Sequence, residues 1–299
     1  MSHRIIAVTP AGRERYLELL SHYVLRDPGI AEWHLWDNCR SPKDRRYIEA
    51  LASKHDKIKV VRIEGADGTN LSVNRFYPLC NDDRAFYIKL DDDIVYLPDP
   101  FASALYERAT RERDRCLWWS PLVINNAICS WLIKYHSKVE LSEWLSCQAS
   151  DSCGWRDPFF AERLHRKFIS AIQNGGAKPF QVPSFDVSLS RFSINCLGFF
   201  GADVAALDRR FCPPDVDDEE WLSACLPSIL HRPGRVVGDL VVAHFSFFTQ
   251  ERELLKAGLL ERYYSVAGLR CPPYSVPARP IRQRVFLTLR ALKRSWARA

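Results

Sequence analysis

The chain has 299 residues, 47% of them apolar, with nine tryptophans and sixteen phenylalanines, which is ample material for one large core and excludes a disordered scaffold. Its formal charge of +6 is unevenly placed: residues 279–299 hold seven Lys or Arg and no acid, leaving 35 basic against 36 acidic residues elsewhere. A near-neutral body with one basic end lacks the surface that phosphate tracking requires, which excludes nucleic acid as its partner.

In chain order, RIIAV (4–8) predicts a buried strand, and RERYLELLSHYVL (13–25) a helix with Tyr16, Leu19, Leu20 and Tyr23 or Val24 on one stripe. EWHLWD (32–37) predicts a second strand, and PKDRRYIEALASK (42–54) its helix, with Ser41 as cap and Pro42 in the first turn. KIKVVRI (57–63) predicts a third strand, NLSVNRFYPLC (70–80) a helix, and AFYIKL (85–90) a fourth strand. Such alternation implies a parallel sheet with right-handed crossovers and ligands at the carboxyl ends of its strands. Thr9, Asp37 and Asp91–Asp93 all fall at such ends.

The pattern loosens after residue 110. CLWWSPLVIN (116–125) predicts a strand, DPFFAERLHRKFISAIQ (157–173) a helix opening at Asp157 and Pro158, and residues 185–207 strands leading to a short helix. DDEEWLSACLPSIL (217–230) predicts a helix with an acidic start, and RVVGDLVVAHFSFF (235–248) a final strand. The tryptophan-rich stretch to about residue 156 yields no clear element. Trp131, Trp144 and Trp155 are expected in core or mixed burial, with stacking on sugar as the rival reading. The ten cysteines form no CxxC pair and are expected reduced. With too short an apolar run for a signal peptide and none long enough for a membrane span, the chain is expected to be cytoplasmic.

The sharpest feature is YIKLDDDIVY (87–96), three adjacent carboxylates flanked by apolar runs. They repel one another, so they are either dispersed into water and turn amides or neutralised by a hard divalent cation. Asp91 and Asp93 would share a side of an extended chain, with Asp92 pointing away.

With its strand–helix alternation, KLDDDIVY resembles the Asp-x-Asp signature of the GT-A glycosyltransferases, nucleotide-sugar-dependent enzymes with one Rossmann-like, mostly parallel sheet flanked by helices. It is similar to the Lys-x-Asp-Asp-Asp-hydrophobic form of some hexosyltransferases, including relatives of β-1,3-galactosyltransferases. The resemblance implies Asp91 and Asp93 as ligands of Mn2+ or Mg2+, with Asp91 also near the ribose, and Lys89 and Asp92 beside the donor. It implies nucleoside contacts at Thr9 and Asp37, for which capping is the competing role, and diphosphate contacts at Asn74 and Arg75, where a surface arginine is the alternative. It also implies an inverting base at the acidic helix start, Asp218 before Glu219, although the helix dipole alone favours acids there. His244, otherwise a core histidine, would be the third metal ligand.

The resulting expectation is a hexosyltransferase using a UDP-linked sugar such as UDP-galactose or UDP-glucose. Its acceptor would be a glycan or lipid-linked glycan in bacterial surface polysaccharide or lipopolysaccharide assembly. A sugar nucleotidyltransferase is the alternative enzyme, weakened by the single glycine of VTPAGRER. A non-catalytic, membrane-docked carbohydrate-binding scaffold is the alternative of another class. The expected organisation is a catalytic domain over 1–270, with nucleotide-sugar binding to about 110 and acceptor binding beyond. A Pro-rich linker over 271–280 and a basic amphipathic helix over 281–299 would follow. That tail, with Val285, Leu289, Leu292 and Trp296 at helical spacing, suits an anionic membrane surface at the inner face, or packing on its own body.

Overall fold

The computed structural model of the protein describes residues 4–188 and 190–277. The expected tail, 281–299, lies outside the described residues. The N-terminal half alternates as expected. β1 (Arg4–Ala11) leads to α1 (Glu14–Arg26), β2 (Ile30–Asp37) to α2 (Pro42–Ala52), and β3 (Ile58–Val61) to the single turn α3 (Asn70–Val73). A 3-10 segment (Asn74–Leu79) then precedes β4 (Ala85–Leu90). Ser41 accepts from the Lys43 amide at 3.1 Å, and Pro42 opens α2. All six residues of β4 are buried, Lys89 included, as befits a strand covered on both faces.

The second half continues with β5 (Ile94–Tyr96), α4 (Ala102–Arg111), β6 (Trp118–Ile124), α5 (Ala127–His136) and α6 (Pro158–Gln173). β7 (Phe185–Val187), β8 (Cys196–Phe200), α7 (Gly201–Leu207), α8 (Asp218–Glu220), α9 (Leu226–Leu230), β9 (Gly234–His244), α10 (Glu251–Lys256) and α11 (Leu259–Val266) follow. The helix expected over 217–230 is interrupted by a π-turn at Trp221–Cys225. Pro227 has no amide proton to return to Ser223, which accounts for the irregular ladder.

Among the described residues, nine strands make one sheet in the order β3-β2-β1-β4-β8-β6-β9-β5, with β7 added beside β9. β3, β2, β1 and β4 pair in parallel, as do β6 and β9. β8 is antiparallel to both β4 and β6, and β5 and β7 run antiparallel to β9. The sheet is mixed α/β and mostly parallel, as expected; the antiparallel insertion is an addition that strand–helix alternation does not reveal. α1 packs against both β2 and β5, which stand towards opposite ends of the strand order, so the sheet curls around it. The carboxyl ends of β1, β2, β4, β6 and β9 share one edge, where β8 begins.

Residues 271–277 do not behave as a free linker. Arg15 Nη1 donates to the Ser275 carbonyl at 3.1 Å, Arg252 Nε to Pro277 at 3.0 Å, and Tyr274 Oη to Glu261 at 2.5 Å. All ten cysteines are free, and no helix among the described residues is long and apolar enough to cross a membrane.

His165, fully buried in α6, joins α11 to the residue after β9. Its Nε2 donates to the Phe245 carbonyl at 2.9 Å and its Nδ1 accepts from the Tyr263 hydroxyl at 2.6 Å. Burial pushes its pKa from 6.5 down to about 3, with the Phe245 carbonyl opposing. A depressed folded-state value means that the neutral ring's contribution is complete above 6.5 and is lost as pH falls towards 3. The melting temperature should therefore fall more steeply through the upper part of that window in the native protein than in His165→Gln. Parallel calorimetric curves would remove His165 from the acid response.

Candidate metal and donor site

The three aspartates leave β4 in a tight turn rather than as an extension of the strand. The Ile94 amide returns to the Asp91 carbonyl at 3.2 Å, and the chain then pairs with the end of β9, Ile94 opposite His244. Two further backbone bonds fix the turn: Asp91 N–H to Asn195 at 2.9 Å, and Phe245 N–H to Asp93 at 2.8 Å. Asp91, Asp93 and His244 consequently each offer one ligand atom, all within 4.8 Å of one another.

Asp93 is 1% exposed, and neither carboxylate oxygen has a hydrogen-bond partner. Its contacts are ionic: Oδ1 lies 3.4 Å from His244 Nε2 and Oδ2 3.1 Å from Arg13 Nη2. Burial disfavours the charge, yet Arg13 and then His244 outweigh it and hold the carboxyl well below its ordinary range. His244 Nδ1 lies 3.3 Å from the Asn125 carbonyl, which can only accept, so Nδ1 carries a proton. In the neutral ring this aims the Nε2 lone pair at the carboxylates, the orientation a metal-binding histidine needs. Burial lowers the imidazole pKa, but Asp93 and Asp91 more than reverse that and raise it above its ordinary value. A metal ion would replace the extra proton.

Asp91 is held by the Lys89 ammonium and by Asn195 Nδ2 at 3.2 Å. Lys89 is itself 4% exposed and donates to the Ile194 carbonyl at 2.9 Å. Burial works against its charge; Asp91, followed by Asp218, overcomes that and raises its pKa. Two carboxylates and an imidazole, with one carboxylate buried and lacking donors, form a set that could hold a divalent ion. The imidazole suits Mn2+ better than Mg2+.

The remaining candidates are distributed differently. Asp92 turns away from the cluster and accepts from Gly12 N–H at 3.1 Å and from Arg13 Nε at 3.0 Å, fastening the β1–α1 turn instead of facing a donor. Burial pushes its carboxyl up and Arg13 pulls it back. Thr9 is a core residue, fully buried, its hydroxyl accepting from Trp33 Nε1 at 3.0 Å. Asp37 is also buried and is engaged by Arg45 Nε at 2.9 Å and Arg62 Nε at 3.2 Å. Arg75 is exposed, its Nη1 3.5 Å from the Glu64 carbonyl. Asn74 is buried and donates to the carbonyls of Pro213 at 2.9 Å and Val216 at 2.7 Å, so it holds the loop leading into α8.

That loop delivers Asp218. Asp217, not Asp218, caps the helix, accepting from Glu220 N–H at 2.9 Å. Asp218 Oδ2 lies 3.5 Å from the Tyr77 hydroxyl, and its carboxyl is raised by burial, with Lys89 opposing and Asp91 adding. It therefore shares the edge with the metal cluster. Glu219 is bound to Arg191 Nε at 2.7 Å; burial raises its carboxyl and Arg191 opposes.

Arg13, Asn125 and Asn195 are the contributors that pattern reading misses. Arg13 carries a signal in the sequence, a cation two residues past the end of β1. Asn195 was not, because it reaches the edge only through the antiparallel β8. Trp131 is half-buried among Tyr135, His136 and Phe185, and Trp155 is half-buried. Trp144, expected inside, is 76% exposed.

No protein family matches the sequence, and no curated protein does. Among solved structures, a mannosyltransferase from Pyrobaculum calidifontis in complex with GDP-Man and Mn2+ superposes with TM-score 0.48 at 12% identity, over 93% of this chain and 66% of that one. The 4-diphosphocytidyl-2C-methyl-D-erythritol synthase of Anaerococcus prevotii DSM 20548 gives TM-score 0.42 at 13% identity, over 85% and 94%. A second structure of an enzyme with that activity gives 0.44 at 14%, over 87% and 99%. These are remote likenesses, and the functional reading rests on the site itself.

In calorimetric titration the protein should bind Mn2+, and Asp93→Asn and His244→Ala should each weaken binding at least about tenfold. Unchanged affinity in both variants would dismiss the cluster as a metal site.

Proposed function

We propose that the protein is a metal-dependent GT-A glycosyltransferase that moves a hexose from a nucleotide sugar to a glycan hydroxyl with inversion. The observation that carries this reading is Asp93, a buried carboxylate without hydrogen bonds that meets Asp91 and His244 at the carboxyl edge of a mostly parallel sheet. A divalent ion bound there would act as a Lewis acid on the departing nucleoside diphosphate. Asp91, Asp93 and His244 would hold it, while the Lys89 ammonium orients Asp91. Asp218 is the base: a carboxylate made more basic by burial accepts the acceptor's hydroxyl proton more readily than an ordinary one. Glu219, fixed to Arg191, supports the helix start.

The KLDDDIVY motif favours a UDP-linked galactose or glucose as donor. We assign residues 1–270 to the catalytic domain, with the acceptor half beyond about 110. The basic sequence 279–299 favours a lipid-linked acceptor at an anionic membrane surface, as in surface polysaccharide or lipopolysaccharide assembly.

Release of UDP from a UDP-hexose should require Mn2+ and vanish in Asp93→Ala, whereas unchanged turnover in that variant would take the ion out of the mechanism. Asp218→Asn should lower kcat by about 100- to 10,000-fold and leave Mn2+–UDP affinity intact. Pyrophosphate as the product, from UTP and a sugar phosphate, would replace this reading with a nucleotidyltransferase.

Removing residues 279–299 should weaken binding to vesicles containing phosphatidylglycerol and spare UDP release. Equal vesicle binding by both forms would refute the membrane role.

A further inference from the structure

Immediately after the metal-cluster histidine the chain reads FSFFTQ, and its rings do not all turn inward. Phe245 is buried, but Phe247 is half-buried and Phe248 is 74% exposed. The Phe247 ring stands 5.0 Å from the His244 ring, and Trp155 joins from the other side, 6.1 Å from Phe247 and 5.5 Å from Phe248. Trp155 and Phe248 meet edge to face at 75°, so they do not cover each other as a stacked pair would.

The platform is rigidly built. Gln250, fully buried, accepts from Asn125 Nδ2 at 2.9 Å and from the Phe247 amide at 3.2 Å, which folds the loop back on the end of β6. Asp151 accepts from the amides of Cys153 at 3.0 Å and Gly154 at 2.8 Å, closing the π-turn that carries Trp155. Gly154 lies so close to α5 that a Cβ there would come within 2.9 Å of Ala127 Cα. The Arg156 guanidinium lies over the Trp155 ring, 5.3 Å from its centre, and supplies a polar border, while Thr249 Oγ1 donates to the Trp155 carbonyl at 3.3 Å.

We propose that Phe248 and Trp155 form the acceptor subsite, stacking against the C–H face of a hexopyranose ring. The inference rests on the glycosyltransferase reading and deepens it by assigning the acceptor's place. Two or three rings make far too small a patch for a protein partner, which needs about 800 Å² per side. A pyranose has the matching size, with one face of C–H bonds for the rings and equatorial hydroxyls for the polar rim. Phe247, 5.0 Å from the His244 ring and 6.1 Å from Trp155, connects that sugar's place to the candidate metal ligands, on whose side the donor's anomeric carbon would have to be.

The test is saturation-transfer NMR on the full chain with Mg2+ and UDP, using the methyl glycosides of glucose, galactose and mannose as probes. At least one glycoside should receive saturation at its ring C–H protons from the native protein and from Trp144→Ala, whose exposed ring lies elsewhere in the sequence. Phe248→Ala and Trp155→Ala should each reduce it about fivefold. Equal transfer in the native protein and both platform variants, or none to any glycoside from the native protein, overturns the assignment. Calorimetry of UDP on the same samples separates the two readings: intact UDP binding with a failed platform leaves the donor site standing. A native protein that binds no UDP overturns the donor reading and the platform with it.

Discussion

The site depends on the burial of one charge. Moving an ionised carboxylate out of water costs on the order of several kcal/mol unless cations compensate it, and Asp93 has no hydrogen bond to help. Arg13 supplies a cation from the β1–α1 turn, and His244 brings its Nε2 to within 3.4 Å of the other carboxylate oxygen from the end of β9. Neither would be in reach without the curl of the sheet around α1. The charge and the fold are thus mutually dependent: the turn after β4 must cross towards β9, and Asp92 secures that crossing by gripping Gly12 and Arg13.

The same economy of parts runs through the neighbouring residues. The antiparallel course of β8 lets Asn195, just before it, fix both the backbone and the carboxylate of Asp91. Asn125, with φ at 65°, presents its carbonyl to His244 while its side chain grips Phe245 and Gln250. An L-residue in the left-handed region is strained, and asparagine tolerates it better than most. The ligand side of the cluster and the loop beyond it are therefore governed by one residue at the end of β6.

Much of this was legible in the sequence. Period and caps located α1, α2 and α6 to within a few residues, and the apolar run before DDD identified β4. Strand-end logic placed Asp91 and Asp93 at one edge and the family resemblance added His244, although residues 91 and 93 meet through a turn rather than through the alternation of a strand. What escaped had physical reasons. α5 is buried around most of its circumference, so it shows no stripe, and β8 is an ordinary apolar run whose direction no local pattern encodes. Asp37 ends β2 as expected, whereas Thr9 lies inside β1, which runs on to Ala11; Trp33, Arg45 and Arg62 occupy the two side chains, pairings that strand-end position does not reveal.

The segment over 271–277 gives the molecule a mechanical linkage. Its last carbonyl bonds are to Arg15 and Arg252. Between these sit Tyr16, whose hydroxyl donates to Glu251 at 2.7 Å, and Arg13, whose guanidinium is 4.0 Å from the same carboxylate. Tension applied past Pro277 would be delivered to the first turns of α1 and α10, and through Glu251 to the guanidinium that steadies Asp93. A displacement of residues 271–277 would therefore have a short route to the candidate metal ligands.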